Sequence, residues 1–288
     1  MADKLYWIDA NGTEQLLSMD ENYKVLFGMN GRFMPPISVV EEEVPFQAGT
    51  RKRSVKINAR DVDIPLHISA ESEIELRQIM RKTLRMINPL KNEGKLISIA
   101  ADGSKRELTC QYIGGMEGAE DKDSKGFWWQ RVVLVFRAFD PFWYDSTTNV
   151  QTFRINETAG TFFPILPLRL SSSTVFADIS ITNSGDVETA PEWIITGPCQ
   201  NIVISNMTTG EKVNLEVTLD VGETISIDTR PFKKTITKND GTNLFYTMTD
   251  ESSLWSLQEG ENSIQLEMSN ATTESSIQLS YKNRYWGV

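Results

Sequence analysis

The chain is poor in the residues that carry most enzyme and metal chemistry. Its 288 residues include one histidine, His67, and two cysteines, Cys110 and Cys199. A lone imidazole in the middle of an alternating apolar segment, away from any nucleophile motif, argues against a Ser-His-Asp or Cys-His arrangement. Two distant thiols do not make a disulfide framework. With one histidine they do not make a structural zinc site either. No run approaches the ~18–20 consecutive apolar residues of a membrane-spanning helix. The opening Met1-Ala2-Asp3-Lys4 lacks the basic-then-apolar order of a signal peptide, so synthesis and folding in a cytoplasm are expected. Basic charge is also in deficit. The 29 Lys and Arg stand against 39 Asp and Glu, a net charge of −10. A nucleic-acid binder needs the opposite balance to displace counterions. There is no repeat of fixed period.

Short motifs fail on inspection. Asp121-Lys122-Asp123-Ser124-Lys125-Gly126 begins like a calcium loop, but Lys125 and Val132 stand where the fifth and twelfth positions need oxygen ligands. Gly210-Glu211-Lys212 lacks the rest of a phosphate-binding loop. A glycosidase needs two carboxylates facing across a cleft, and nothing in the spacing of the many Asp and Glu selects a pair. Trp193, Trp255 and Trp286 are candidates to stack on sugar faces if exposed, and otherwise pack a core. The sequons at Asn11, Asn156, Asn206 and Asn270 carry little weight without a secretory signal. No catalytic residue, metal ligand or cofactor is expected.

What the chain does contain is 40% hydrophobic and 24% charged residues, enough for a sizeable core, over a length that suits two domains. Residues 1–148 read as a β-rich domain with one helix. The helix is expected over about 72–88. Ser72 and Glu75 form a capping box, Glu73 and Glu75 occupy the first turn, and Arg81, Lys82 and Arg85 lie toward the end. Leu76, Ile79, Met80, Leu84 and Ile87 make its apolar stripe, and Asn88-Pro89 ends it. Upstream, Val55, Ile57 and Ala59 alternate in one phase and Val62, Ile64, Leu66 and Ile68 in the other. This predicts one long strand with a bulge near Arg60-Asp61. Pro65 within it suggests an edge or a break in pairing. Lys95 to Ala100 and Glu107 to Ile113 read as a hairpin turning at Asp102-Gly103. The segment Phe127 to Phe139 is apolar on both faces, which predicts a central strand covered above and below.

Charge is segregated. Arg51-Lys52-Arg53 and Arg77, Arg81, Lys82, Arg85 are basic, while Glu41-Glu42-Glu43 and Glu117 to Asp123 are acidic. These are solvated faces or complementary contacts between neighbouring subunits. The polar stretch 146–164 reads as a linker or irregular crossing. Beyond it, short alternating segments such as Val213-Leu215-Val217-Leu219 and Ile277-Leu279-Tyr281 are separated by turn signals at Gly185, Gly210, Gly222, Gly241 and Gly260. They predict an all-β sandwich over 149–288.

The densest local signal is Phe136-Arg137-Ala138-Phe139-Asp140-Pro141-Phe142-Trp143-Tyr144-Asp145. Pro141 ends or kinks the strand before it. Phe142, Trp143 and Tyr144 must bury a large area where the chain passes from one domain to the other. Pro141, Phe142, Trp143 and Tyr144 are therefore expected to form the domain junction.

The order of these landmarks resembles a known family over essentially the whole chain. Gly28-Met29-Asn30-Gly31-Arg32-Phe33-Met34-Pro35-Pro36-Ile37 precedes Val44-Pro45-Phe46-Gln47-Ala48-Gly49. The capped helix and Asp140-Pro141-Phe142-Trp143-Tyr144 follow. Then come Ile181-Thr182-Asn183-Ser184-Gly185-Asp186, Ile195-Thr196-Gly197-Pro198, Val221-Gly222-Glu223 and Tyr281-Lys282-Asn283-Arg284-Tyr285. This set is similar to the distal tail proteins (Dit) of siphophages. The resemblance implies a mainly β protein: an α+β ring-forming first domain and a galectin-like or carbohydrate-module-like second domain. It implies a non-enzymatic hub at the tail tip of the virion, made in the host cytoplasm. The implied partners are five further copies in a homo-hexamer, the tail tube protein, the tail-associated tip protein and, in some members, a receptor-binding protein. Neither nucleic acid nor membrane is an expected partner. The alternative is a carbohydrate-binding adhesion module recognising host cell-wall glycan.

Overall fold

The computed structural model describes residues 3–118, 121–154 and 175–288. The chain divides into two compact units. The first comprises residues 1–146 together with Tyr285–Val288, and the second is Thr147–Arg284. The sequence reading ran the second domain to the last residue. Instead, the final four residues return to the first unit.

The first unit is built from β1 (Lys4–Ile8), β2 (Glu14–Leu16), β3 (Tyr23–Val25), β4 (Ile37–Glu43), β5 (Thr50–Ile57), β6 (Arg60–Ser69), α1 (Glu73–Met86), β7 (Gly94–Ile99), β8 (Lys105–Gly114), β9 (Trp129–Ala138) and β10 (Trp143–Asp145). Its main sheet runs β2-β1-β7-β8-β9-β6-β3, all in antiparallel pairs. The long β8 serves three neighbours: Lys105–Cys110 pairs with β7, Arg106 and Glu107 pair with β10, and Gln111–Gly114 pairs with β9 across a bulge. The two arms of the sheet share one core. Trp7 from one arm meets Phe136 from the other, with ring centroids 4.6 Å apart.

α1 closes this core with Leu76, Ile79, Thr83 and Met86. Burying Thr83 requires partners for its hydroxyl, and it has two, the Tyr23 hydroxyl at 2.8 Å and the Ile79 carbonyl at 2.9 Å. The Ser72 hydroxyl accepts from the Glu75 amide at 3.2 Å, and the Glu75 carboxylate accepts from the Glu71 amide at 2.9 Å. One member of the expected stripe is misplaced: Leu84 is exposed, and Met86 takes the buried position.

Three other expectations are corrected. The change of phase near residue 60 is not a bulge in one strand. The chain leaves a separate two-stranded hairpin, β4–β5, and enters the main sheet at β6. Pro65 does not break the β6–β9 ladder, where it stands opposite Val133. It sits just past the end of β3, where its carbonyl accepts from the Leu26 amide at 2.8 Å and no strand amide is required of it. Among the described residues, β9 is central in the sheet but covered on one face only. Gln130, Val132, Leu134, Phe136 and Ala138 point inward, while Arg131, Val133 and Arg137 are exposed.

The second unit contains β11 (Asn149–Arg154), β12 (Val175–Asn183), β13 (Glu192–Thr196), β14 (Cys199–Asn206), β15 (Glu211–Leu219), β16 (Thr224–Asp228), β17 (Thr235–Lys238), a 3-10 turn at Phe245–Thr247, β18 (Gly260–Ser269) and β19 (Ser276–Tyr281). They form a five-stranded sheet, β11-β19-β13-β16-β17, and a four-stranded sheet, β12-β18-β14-β15. Part of the expected linker is therefore a strand, since β11 pairs along its length with β19. The rest of that stretch, 155–164, and the sequon Asn156 lie outside the described residues. Inward residues of both sheets share one core, among them Ile181, Trp193, Ile204, Leu215, Leu266 and Leu279. The result is the expected sandwich. At Tyr285, in β20 (Arg284–Tyr285), the chain re-enters the first unit, where β20 pairs with β10.

Candidate assembly surfaces

The block after β9 folds back into the first unit. Asp140 accepts from the Phe142 amide at 3.4 Å and from the Tyr144 hydroxyl at 2.5 Å, which fixes a tight bend around the buried Pro141. Trp143 is fully buried in the first unit's core. Tyr144 lies opposite Glu107 in the β10–β8 pair. Phe142 packs on Trp286, with centroids 5.3 Å apart.

Trp286 belongs to the returning segment, which several side chains hold. The Trp286 carbonyl accepts from the Arg60 guanidinium at 2.5 Å. The Gly287 carbonyl accepts from Arg106, whose guanidinium lies 3.7 Å from the centroid of the Tyr285 ring. The Tyr285 hydroxyl donates to Asp145 at 3.3 Å. Gly287 passes so near Phe33 that a Cβ there would stand 2.9 Å from the Phe33 Cα. Arg60 is fully buried, and that burial pulls its guanidinium down to about 10. The expected junction residues thus share their unit with the segment through which the chain comes back. No signal near Pro141 marks that partner, although Phe142 and Trp286 lie 144 residues apart and touch.

The β4–β5 hairpin is exposed on both faces throughout, except Ile57. Ile37 faces Ile57 and Val39 faces Val55, so an apolar stripe lies open on one side. Farther out Glu41 faces Lys52, Glu42 faces Arg51, and Arg53 forms an ion pair with Glu42. The acidic run 41–43 and the basic run 51–53 are therefore partners within one hairpin, so neither is wholly reserved for a neighbouring subunit. The tip carries Phe46, fully exposed at a φ of 65°.

Val133 and Val135 lie on the outer side of β9, Val133 being 45% exposed, and Phe127 and Trp128 just before the strand are 84% and 60% exposed. Beside them is a groove of about 590 Å³ lined by Leu26, Pro65, Val133 and Val135, by Gly115 and Gly118, and by the charged Glu117 and Arg131. Gly115 has a φ of 103°, and a Cβ on it would overlap the Val133 carbonyl, so only glycine lets the loop lie against the strand here. His67 stands on this side, its ring 5.5 Å from that of Trp129. Burial first, then Arg131 and Lys24, hold its imidazole below the usual histidine range. No carboxylate is among its influences.

Other candidates for chemistry are placed as follows. Cys110 and Cys199 are buried free thiols; burial pushes Cys110 far up and Cys199 to about 11. Among the described residues no cluster of His, Cys, Asp and Glu is arranged to hold a metal ion. No helix there is long and apolar enough to cross a membrane. Trp193 and Trp255 pack edge to face in the sandwich core at 5.8 Å, so neither presents a face to a sugar.

Residues 184–285 match the family model described as siphovirus-type tail component, C-terminal domain. The second unit is thus similar to that domain over those residues. Over the whole chain the fold is similar to that of Dit. The Dit protein (gp 19.1) of phage SPP1, described as a paradigm of the hub adsorption apparatus in phages infecting Gram-positive hosts, superposes with a TM-score of 0.69. The identity is 13% and 99% of each chain is covered. A chain of the phage P2 baseplate in its activated conformation with Ca gives a TM-score of 0.56 at 13% identity, with 100% of each chain covered. Comparison with curated proteins found no match.

Proposed function

We propose that the protein is the hub of a siphophage tail tip, a hexameric ring of first units that joins the tail tube to the tip and receptor-binding apparatus and performs no catalysis. The observation that carries this is the β4–β5 hairpin. An isolated two-stranded ribbon is marginal in water, because it has no layer to pack on. This one also exposes Ile37, Val39, Val40 and Val55. Such an element gains its support from another molecule. A hairpin that docks on a different surface of the next copy makes a head-to-tail contact, which closes into a ring. The number six comes from the Dit resemblance.

In this reading the Pro141–Tyr144 block is the domain junction. It anchors the point where the chain leaves for the second unit and, through Phe142, the segment by which it returns. The non-catalytic role is supported by thiols that burial keeps protonated and by a histidine whose charged neighbours are cations. Native mass spectrometry and electron microscopy of the purified protein at micromolar concentration test the ring. Hexamers are expected. A strict monomer there, with no ring in intact tails, overturns the reading. Release of sugar or peptide from host cell walls, abolished by one Asp or Glu substitution, overturns the non-catalytic part.

A further inference from the structure

The outer face of β6 carries an arrangement with no part in the hub. Lys24 of β3 stands opposite His67 of β6, and His67 stands opposite Arg131 of β9. Residues directly opposite in an antiparallel sheet point to the same side, so three basic groups form one row across three strands, ~10 Å from end to end. Like charges set opposite each other oppose folding. A chain of net charge −10 has carboxylates in plenty to relieve them. Yet among the described residues neither Lys24 nor Arg131 has an ion-pair partner. The carboxylates of the surrounding elements are engaged elsewhere or stand apart. Asp61 pairs with Arg137, Glu117 accepts from the Gly115 amide, and Asp121 accepts from the Asp123 amide. Asp63, opposite Val135, is two rows away. Asp123 meets Arg131 through its carbonyl, at 3.3 Å, and the same loop carries Lys122 and Lys125. Trp129 lies beside the imidazole and carries the Arg131 guanidinium 5.0 Å from its own centroid, which holds both groups in place. The imidazole Nδ1 is buried without a hydrogen-bond partner, which leaves Nε2 to meet a ligand. Two residues along each strand the same side turns apolar. Leu26, Pro65 and Val133 line the groove of about 590 Å³, and Arg131 lines it too.

We propose that this row binds a phosphate monoester, with the phosphoryl oxygens on Lys24, His67 Nε2 and Arg131 and an apolar body in the groove over Pro65 and Val133. A row of three donors suits an anion with three terminal oxygens. A monoester phosphate has three, whereas a carboxylate has two. The groove is of the size that holds a small organic molecule. Occupancy is linked to protonation. Burial, Arg131 and Lys24 keep the imidazole neutral. A bound dianion reverses the local field, so anion binding and proton uptake favour each other. The site lies within one subunit and stands whether or not the subunits form a ring.

His67 is the only histidine, so the full chain labelled with 13C-histidine gives one imidazole resonance, and that resonance reports this site alone. It is titrated by NMR between pH 8 and 5 in chloride and in sulfate at equal ionic strength. Sulfate keeps its charge over this range, so any change belongs to the protein. The expected result is a titration midpoint higher in sulfate by roughly one pH unit, equivalent to roughly tenfold tighter anion binding by the protonated form. Lys24→Ala and Arg131→Ala should each abolish the rise, and Lys233→Ala, which removes a distant exposed cation, should leave it unchanged. Lys24→Ala on the edge strand carries the test alone if Arg131→Ala disturbs the loop. Midpoints that coincide in sulfate and chloride overturn the site, as does a rise that survives Lys24→Ala. Calorimetry then compares phenyl phosphate with inorganic phosphate at one pH. Phenyl phosphate should bind roughly tenfold tighter, and Val133→Asp should remove that advantage. Equal affinity in the wild-type chain overturns the apolar body.

Discussion

The two units spend their apolar residues differently. In the sandwich, strands with a clean inside-outside alternation put Ile202, Ile204, Ile264, Leu266, Ile277 and Leu279 wholly inside. The first unit has a comparable core but leaves Phe27, Ile37, Phe46, Phe127, Trp128 and Val133 in solvent. Scattered exposed apolar residues are ordinary on any protein, whereas contiguous apolar surface on a ribbon and on a sheet face marks an interaction site. The sandwich also exposes Phe232, Tyr246, Val221 and Met207, but not as a stripe along a ribbon. In the reading proposed above, neighbouring copies cover the first unit's open surface, and this unit includes the last four residues of the chain.

Those four residues give the largest expected effect. Truncation after Arg284 removes the Trp286 carbonyl from the buried Arg60, which keeps the Gly31 carbonyl at 3.2 Å. It also strips the ring from Phe142. Losing a hydrogen bond to a charged group costs ~1.5–3 kcal/mol, and the lost packing of the Trp286 ring adds a few kcal/mol more, on the order of a large-to-small core change. Hydrogen exchange should therefore speed up throughout β6 and β9 while β13, β14 and β18 keep their protection. Equal loss in both units would show one cooperative body and break the comparison.

Next come the two buried tryptophans. Trp193→Ala in the sandwich and Trp143→Ala in the first unit should each cost ~3–5 kcal/mol. Each loss should appear by hydrogen exchange in its own unit. Trp193→Ala should leave rings intact, and Trp143→Ala should weaken them. A Trp193→Ala protein without rings would mean that the sandwich contributes to assembly.

Smaller for the subunit, though not for the ring, is Val39→Ser with Val55→Ser. Both sites are exposed, so subunit stability should change by no more than ~0.5 kcal/mol. Sedimentation velocity should nonetheless show the oligomer shifting to monomer. A large drop in melting temperature would show that this stripe packs within its own chain.

What the sequence discloses follows the range of the cause. The α1 cap was legible because Ser72 and Glu75 act within one turn, and the sandwich because alternation is a nearest-neighbour property. Apolar residues on both faces of β9 were legible too, but not that one face would stay open in the single chain: pattern shows that a face wants cover without saying which molecule supplies it. Charge runs left two readings open for a related reason. Glu41–Glu43 and Arg51–Arg53 look like patches for a partner until the intervening turn pairs them. At the junction, Pro141, Phe142 and Trp143 were legible as a block to be buried. Trp286 and Arg60, which complete their surroundings, were not, because each is an ordinary residue whose role depends on a contact far along the chain.

The smallest expected effect sharpens the electrostatics of the outer face. His67 is neutral-favouring in the folded chain, because burial, Arg131 and Lys24 all oppose its proton. In the unfolded chain it titrates near ~6.5. Above that pH it is neutral in both states and contributes nothing. As pH falls below it, the unfolded chain takes up the proton first, and stability is lost down to the lower folded value. His67→Gln removes this uptake without adding charge. Urea midpoints measured at several values between pH 7.5 and 5 should coincide with wild type at the top of the range and fall less steeply below it. Because Lys24 and Arg131 contribute only at short range, raising the salt should shrink the difference in part and leave the portion due to burial. Parallel curves for the two proteins at low salt would show that the outer face of β6 and β9 does not oppose protonation, and would remove the cationic row as a reason for an anion to bind there.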